Sequence, residues 1–393
     1  MILAEIRKLG AASRPEIARR VALTPQAANG IFGELMDAGL IREGGKRGGS
    51  VGHPSTLYAI SSAGAYAIGI KIGPRDLEAT LVNFHGQMVY RAVTEFAESN
   101  GAAMGSAVAA GIEAVLSYAR GGDIDLDRIV GMGIIGPEGP DGIHDGYGGP
   151  PSGVKWWDEA AFTGALPEGL DIPIYFERLA VAGALSMAML SNMPLPPSYL
   201  YVTVGEIIDS CLVIEGEVRR GDHWRAGRFG AMPVGAGVGR AVATLGEVVT
   251  YAALRSRLAE KGFHAAGAEG LYRALHEHPG IVERWSGEAG DALFVGLQAI
   301  QACLDLGCVC LCIDPPNAVG DRLLERVRSG LERLPGLGLA VPTLQRDYPL
   351  RGSLAVGAAI VALHERFAPK LELPAGGRRR PADGGRMSAL LVQ

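Results

Sequence analysis

The sequence lacks several features that would assign a protein class at once. No hydrophobic run approaches the ~20 residues that cross a bilayer, and the opening MILAEIRKLG is amphipathic rather than a charged stretch followed by an apolar one. Aromatic residues make up only 6% of the 393 residues, and charged residues only 20%. These absences argue against a membrane protein or a secretory precursor, and they predict a cytoplasmic protein with no membrane partner.

Cysteine is also scarce, since the chain holds only five. Cys308, Cys310 and Cys312 alternate with apolar residues, which predicts a β-strand with three thiols on one face. No histidine cluster lies nearby, and the C-x₂₋₄-C pairs typical of structural zinc sites are missing. We therefore expect buried apolar cysteines and no metal ligands.

Charge is distributed unevenly along a chain that is otherwise typical of a globular protein. Hydrophobic residues make up 48%, and the length predicts two or three domains. Residues 1–56 hold eight Lys/Arg and five Asp/Glu, a balance of +3, whereas the whole chain carries −5 and the remainder therefore −8. A basic module on an acidic body suits a protein that touches DNA through one end.

The most informative stretch is 13–43, SRPEIARRVALTPQAANGIFGELMDAGLIRE. Ser13 and Glu16 predict a capping box at one helix. Thr24 is the predicted N-cap of the next helix, with Pro25 at its first position, and Gly39 predicts its end. This is the helix-turn-helix pattern, whose second helix enters a DNA major groove.

The predicted recognition helix has an apolar face and a polar N-terminal turn. Residues spaced three and four apart predict its buried stripe: Ala27, Ala28, Ile31, Leu35 and Met36. Gln26 and Asn29 can bond adenine edges, whereas a threonine at a helix N-terminus suits phosphate.

A Gly-rich basic segment, GGKRGGSVGHPS at 44–55, follows this helix and predicts a wing that reaches phosphate or the minor groove. The predicted DNA-binding residues are Arg14, Thr24, Pro25, Gln26, Asn29, Lys46, Arg47 and His53. Of these, Gln26 and Asn29 are expected to read bases. The alternative is a helical hairpin that serves protein contacts.

The remainder predicts the same unit twice. Strands are expected at 65–73, 76–84 and 87–96, a helix at 103–119, strands at 129–136 and 172–176, and a helix at 179–190. Strands at 198–205, 210–216 and 217–221 then repeat the pattern. Helices near 244–261, 266–277 and 286–305 follow, then a strand at 308–314, a helix at 323–334, a strand at 339–345 and a helix at 353–367. Two such copies predict an α/β body of two lobes with a cleft.

Taken whole, the chain resembles the ROK family of sugar kinases and transcriptional repressors. The matching pieces are SRPEIARRVALT…LMDAGLIRE, GHPS, AIGIKIG, GMGIIGPEGPDG and GAAIVAL. The resemblance implies an N-terminal winged helix-turn-helix at 1–60 and a two-lobed actin-like ATPase fold. Its first lobe would span 63–178, its second lobe 179–350, and a helix at 351–368 would return to the first lobe. A disordered tail is expected at 369–393.

The sequence departs from the residues that the resemblance implies for catalysis. Arg178 and Leu179 stand where family kinases have an Asn-Asp pair, and leucine cannot act as the base. The first phosphate loop reads Lys71, Gly73, Pro74, Arg75. The second reads GEIIDSC at 205–211 instead of a Gly-rich run, and its Glu206 and Asp209 are expected to repel a nucleotide.

The zinc motif of the family is missing as well. Residues 226–247 contain no cysteine, and Arg228 and Ala231 stand at the expected Glu and His positions. We therefore expect no catalytic residue, no cofactor, no metal and no enzyme activity.

The first hypothesis is a DNA-binding transcriptional regulator, a repressor of carbohydrate-related genes, acting as a homodimer or homotetramer on a double-stranded operator. A sugar, sugar acid or sugar phosphate is the candidate effector. The candidate contacts are Glu138, Trp156, Glu177, Arg178, Arg228 and Glu247, although taken singly each is better explained as an ordinary loop residue. The two arginines favour an anionic ligand or a salt bridge between the lobes. The alternatives are an active ATP-dependent sugar kinase with a DNA-binding head, and an interaction protein that dimerises through its winged helix.

Overall fold

The computed structural model of the chain describes residues 1–47, 55–73, 76–95, 101–136, 164, 166, 170–190, 195–222, 226–234, 243–313, 318–347 and 354–368. They form two compact units. Unit 1 comprises Met1–Ile134, Asp158–Phe176 and Ala358–Gln393, and unit 2 comprises Ile135–Trp157 and Glu177–Gly357. Within the described ranges, no helix is long and apolar enough to span a membrane. The predicted domain boundaries stay predictions, and the predicted disordered tail lies outside the described residues.

Residues 1–60, called the head below, form a winged helix at the start of unit 1. Its helices are α1 (Ile2–Leu9), α2 (Arg14–Arg20) and α3 (Pro25–Asp37). Its sheet has the order β1-β3-β2, with β1 at Ala12–Ser13, β2 at Ile41–Arg47 and β3 at Ser55–Ile60. The side chains that fill its core are Ile6, Ile17, Ala28, Phe32 and Tyr58.

Both ends of α3 follow the sequence signals. The Thr24 hydroxyl accepts a hydrogen bond from the Ala27 N–H at 3.2 Å, and Pro25 occupies the first turn. At the other end, Gly39 adopts φ +69°. The N–H of Gly39 donates to the Met36 carbonyl, and the N–H of Leu40 donates to the Leu35 carbonyl, both at 2.9 Å. This pair of bonds is a Schellman ending, so the predicted start and end of the helix are confirmed.

Two local predictions for the head are wrong. Ser13 makes no side-chain cap bond, and Glu16 instead pairs with Arg47, so the first helix has no capping box. The buried stripe of α3 is Ala28, Phe32 and Leu35, with Ala27 exposed and with Ile31 and Met36 half-buried. Phe32 sets this rotation, because its ring packs edge-on against Tyr58 with centroids 5.1 Å apart.

A five-stranded sheet follows the head, in the order β6-β5-β4-β7-β8. The strands are β4 (Tyr66–Ile72), β5 (Asp76–Asn83), β6 (Met88–Glu95), β7 (Ile129–Gly136) and β8 (Ile174–Arg178). The first three pair antiparallel as a meander, and helix α4 (Gly101–Gly121) packs on β5 and β6. The predicted meander and helix are confirmed.

Unit 2 contains a second five-stranded sheet of the same order, β11-β10-β9-β14-β15. The strands are β9 (Tyr199–Val204), β10 (Ile208–Ile214), β11 (Glu217–Arg219), β14 (Cys308–Ile313) and β15 (Thr343–Asp347). A short pair, β12 (Pro233–Val234) and β13 (Ala243–Thr244), lies apart from it. The equal strand order confirms the predicted α/β repeat. Cys308, Cys310 and Cys312 are buried in β14, as expected.

The later helices are α5 (Leu179–Leu190), α6 (Leu245–Val249), α7 (Tyr251–Ala259), α8 (Gly267–Glu277), α9 (Pro279–Leu304), α10 (Ala318–Leu331) and α11 (Ala355–Phe367). The single helix predicted at 244–261 is wrong, because Thr250 adopts an extended conformation and caps α7 through the Ala253 N–H at 3.2 Å. Helix α9 begins seven residues before the predicted position, at Pro279.

Candidate nucleic-acid interface and candidate effector cluster

The N-terminal turn of α3 presents the predicted contact residues to solvent. Thr24, Pro25, Gln26 and Asn29 are all exposed, whereas Phe32 is buried. Gln26 and Asn29 are three residues apart, so they share one face of the helix. Two amide side chains on one exposed face can bond base edges in a major groove.

The same face carries small residues that were not among the predicted DNA contacts. Ala27 and Gly30 are exposed beside the two amides, and a Cβ added at Gly30 would have no atom within 4 Å. Because these side chains are small, the backbone of the helix can approach the floor of a DNA groove closely. The signal was visible in the sequence as AANG, in which small and polar residues are neighbours.

The last two residues of β2, Lys46 and Arg47, are exposed cations of the wing. β2 pairs antiparallel with β3, placing Lys46 opposite Thr56 and Arg47 opposite Ser55. Both side chains are exposed, and the Arg47 Nη1 lies 3.4 Å from the Glu16 Oε2. This ion pair fastens the wing to α2 and leaves Lys46 available for phosphate. The predicted contact His53 lies outside the described residues.

Arg14 differs from the other predicted contacts. Its guanidinium lies 4.7 Å from the centroid of the Tyr58 ring and 5.8 Å from that of Phe32, and the side chain is half-buried. These cation–π contacts hold α2 against α3 and β3. The structure thus gives Arg14 a packing role in the head rather than a place on the exposed face.

Two exposed arginines at the end of α2 were missed as candidates. Arg19 and Arg20 lie in its last turn. Arg20 is 3.6 Å from Glu5, and the Arg19 Nε donates to the Pro15 carbonyl. They add cationic surface to the head.

In unit 2, four charged residues form what we call the unit-2 cluster: Glu177, Arg178, Asp209 and Arg220. Arg178 Nη1 donates to Asp209 Oδ1 at 2.7 Å, and the two side chains are 10% and 6% exposed. Arg178 Nη2 also donates to the Ala226 carbonyl at 2.9 Å. This is a desolvated ion pair, which needs such additional hydrogen bonds to be tolerated.

Glu177 completes the unit-2 cluster. Its Oε2 accepts from Arg220 Nη2 at 2.6 Å, and its Oε1 accepts from the Arg178 N–H at 2.9 Å. Two carboxylates thus balance two guanidinium groups. The four residues of the cluster carry no net charge, and the ion pair of Arg178 lies within unit 2.

The expected repulsion of a nucleotide by Glu206 and Asp209 requires correction, because an arginine pairs with each. Glu206 pairs with Arg255. Asp209 binds Arg178 and also accepts from the N–H groups of Ala180 at 3.0 Å and Ser210 at 2.8 Å. Its carboxylate therefore occupies the N-terminus of α5, a position that suits anions.

Glu247, a candidate effector contact, caps a helix in the structure. Its Oε2 accepts from the Thr244 N–H at 2.8 Å and from the Thr244 hydroxyl at 2.9 Å, which is a capping box for α6. The backbone bond, and then the hydroxyl bond, lower the pKa of Glu247 from 4.5. Arg228 is half-buried at the start of the turn Phe229–Ala231. Glu138 and Trp156 lie outside the described residues.

The residues present do not fit the groups that the resemblance would imply. Residues 226–247 contain neither cysteine nor histidine, and among the described residues no group of three or more His, Cys, Asp or Glu could hold a metal ion. Leu179 has no atom that can accept a proton. The two acidic side chains of 205–211, Glu206 in the loop after β9 and Asp209 in β10, are already bonded to arginines.

Solved structures of similar fold include a regulator and several kinases. A ROK family transcriptional regulator, a homolog of the E. coli MLC protein, has a TM-score of 0.69 at 15% identity and covers 92% of this chain and 96% of its own. The chain has the fold of the ROK family. The fold that the resemblance implied is confirmed.

ROK kinases share the same fold over less of the chain. The ROK hexokinase from Thermus thermophilus has a TM-score of 0.56 at 23% identity, covering 77% of this chain and 99% of that one. The Streptomyces griseus glucokinase, solved with glucose and AMPPNP, has a TM-score of 0.57 at 15% identity, covering 76% and 99%. At these identities the likeness establishes the ROK fold alone.

One curated relative is similar in sequence. The putative xylose repressor of Caldicellulosiruptor sp. (strain Rt8B.4) is 26% identical over 227 residues, which are 56% of this chain and 55% of the relative. The matched region thus spans about half the length of that relative. No family model matches the chain.

Proposed function

We propose that the protein is a sequence-specific DNA-binding transcriptional regulator, a repressor of carbohydrate-related genes. The observation that carries the proposal is the capped recognition helix, whose exposed face holds Gln26 and Asn29 beside a wing with exposed Lys46 and Arg47. Similarity to a ROK regulator over 92% of the chain, and to a putative xylose repressor, supports it.

In this proposal the protein acts as a homodimer or homotetramer, and two heads bind a palindromic operator. Two-fold symmetry then sets the half-sites about one helical turn, or a multiple of it, apart. Gln26 and Asn29 read bases. Thr24, Pro25, Lys46, Arg47 and His53 hold the DNA backbone or the minor groove.

The kinase-like body, in this proposal, no longer catalyses and binds an effector. Leu179 at the position of the base and the bonded carboxylate of Asp209 support the loss of phosphoryl transfer. Because the unit-2 cluster balances its charges internally, we favour a neutral sugar over a sugar acid or sugar phosphate. Xylose is the first ligand to test, since the curated relative is a putative xylose repressor.

The deciding experiment measures binding of the protein to DNA from the region upstream of its own gene, over a range of salt concentrations. Lys46→Ala with Arg47→Ala should weaken binding and flatten its dependence on salt. Each lost phosphate contact reduces the slope of log K against log[salt] by about 0.9, so two cations per head reduce it by about 2 per head. The control is Arg219→Ala with Lys261→Ala, which removes two exposed cations from unit 2.

Unchanged binding by the wing variant would remove the wing from the interface. Failure of the unaltered protein to bind any upstream fragment would contradict the proposed function and favour the interaction-protein alternative.

The second candidate is an active ATP-dependent sugar kinase with a DNA-binding head, which the similarity to ROK kinases over 76–77% of the chain favours. A coupled assay for ADP release with xylose and common hexoses tests it. We expect no turnover above background. Sugar-dependent ADP release would overturn the assignment of the body as inactive.

A further inference from the structure

The short linker between the head and the body of unit 1 is held on both sides by backbone hydrogen bonds. The Ser61 N–H donates to the Leu40 carbonyl at 2.9 Å, and the Phe84 N–H donates to the Ser62 carbonyl at 3.1 Å. Gly64 approaches so closely that an added Cβ would lie 2.7 Å from the Gly39 carbonyl oxygen. The end of the recognition helix, the linker and the sheet of unit 1 are therefore in direct contact.

Arg7 reaches from α1 of the head to the body. Its Nη1 donates to the Phe84 carbonyl at 2.7 Å, and its guanidinium lies 4.9 Å from the centroid of the Phe84 ring. Burial lowers the pKa of Arg7 to about 10, and no carboxylate among the described residues forms an ion pair with it. Desolvating an arginine without a counter-charge is unfavourable, so this contact is poorly explained as a simple source of stability.

Arg128 reaches in the opposite direction, from the body to the head. It ends the turn Leu126–Arg128, and its Nη1 donates to the carbonyls of Gly64 at 3.2 Å and Ala63 at 3.4 Å. The same group packs on Gly39, where an added Cβ would lie 3.1 Å from Nη1. A cation beside the C-terminal end of α3 is also favoured by the helix dipole.

Phe84 joins this junction to the last helix. Its ring lies 4.6 Å from that of Phe367, the final residue of α11, and its side chain is fully buried. Arg7, Phe84 and Phe367 thus connect α1 of the head, the turn after β5 and the end of α11.

We propose that Arg7 and Arg128 are positioning residues that lock the recognition helix onto the body of unit 1. The DNA part of this inference rests on the proposed function. In a two-headed assembly, locked heads present their helices at a fixed separation, so binding of the first head raises the effective concentration of the second at its half-site. Heads that are no longer held by Arg7 and Arg128 keep their affinity for a single half-site. They bind a fragment with two half-sites less tightly, because the effective concentration of the second head is lower.

The experiment compares Arg128→Ala and Arg7→Ala in the full chain with Arg120→Ala, which breaks only the surface pair with Glu113 on the same unit. Hydrogen exchange without DNA is measured first, at the Gly39 and Leu40 amides, which close α3. We expect exchange to accelerate about ten-fold in the lock variants and to stay unchanged in the control. Arg128→Lys keeps the charge without the fork of donors, so it should give an intermediate rate.

DNA binding is the second readout, with fragments that carry one half-site or two. We expect affinity for two half-sites to fall about ten-fold and affinity for one half-site to stay within about two-fold. Equal losses on both fragments, or unchanged exchange at Gly39 and Leu40, would refute the lock.

The two proposals fail separately. If neither the unaltered protein nor the variants bind DNA while exchange still accelerates, the proposed function fails and the lock stands. If Arg7→Ala does not fold, Arg128→Ala and Arg128→Lys carry the test.

Discussion

Asp209→Asn is expected to destabilise unit 2 strongly. The change removes the negative charge that faces Arg178 at 2.7 Å, where both side chains are at least 90% buried. Asparagine keeps the shape of the side chain and an oxygen that can accept from the Ala180 N–H. The amide nitrogen cannot accept a hydrogen bond, so the variant also loses the acceptor that serves the Arg178 guanidinium and the Ser210 N–H.

The size of the effect follows from burial. Removing one partner of a buried ion pair costs about 3–5 kcal/mol, because the remaining charge is left desolvated. For a unit of this size, each 1 kcal/mol lowers the Tm by about 2–4 °C. Asp209→Asn should thus lower the Tm of unit 2 by roughly 6–20 °C. Glu206→Gln, which breaks a more exposed pair with Arg255, should cost less than about 1 kcal/mol.

A double variant separates charge from packing. Arg178→Met with Asp209→Asn leaves no unpaired charge, so it should be more stable than the sum of the single changes predicts, by about 1–3 kcal/mol. Denaturation is followed by tryptophan fluorescence, since Trp285 is buried in unit 2. A cost below about 1 kcal/mol for Asp209→Asn, or strict additivity in the double variant, would refute the buried-pair interpretation.

Two further predictions concern a histidine and the thiols. The pKa of His85 is lowered from 6.5, chiefly by burial and then by the positive charges of Arg7 and Arg42. The hydrogen bond to the Ile60 carbonyl raises the pKa but does not offset these effects. The unfolded chain therefore binds the proton more readily, so unit 1 should lose stability as pH falls from 7 to 5; thermal denaturation should show this for the protein and less of it for His85→Gln. Cys303 is exposed and the other four cysteines are buried, with the pKa of Cys211 raised to about 12 by burial. A thiol reagent should thus label one cysteine rapidly in the native protein and none in Cys303→Ser, whereas rapid labelling of a second site would contradict the burial of the other four cysteines.

Local signals predicted much of the secondary structure. Thr24 and Gly39 defined the ends of α3, because a cap and a positive φ are properties of single residues. Alternating apolar residues defined β4, β5 and β14 within about two residues. The repeat of these patterns predicted two sheets, which have the same strand order.

Local signals could not predict which face of α3 is buried or what the nearby Arg14 contacts. Ala27 and Ala28 fit a helical stripe equally well by spacing, and only the contact of Phe32 with Tyr58 decides which of the two is buried. Arg14 was a predicted DNA contact, yet its guanidinium packs against the rings of Phe32 and Tyr58.

The sequence by itself determined which segments are helices and strands and which residue types are available for DNA, sugar or catalysis. Tertiary structure decided which charged side chains are paired. Arg47 bonds to Glu16 and Arg178 bonds to Asp209, and the two residues of each pair are 31 positions apart in the sequence. Arg7 bonds to the carbonyl of Phe84, which is 77 positions away. Periodicity reports the environment of the backbone over a few turns. Which side chains of distant segments meet depends on strand register and helix packing, and these are fixed only when the whole unit folds.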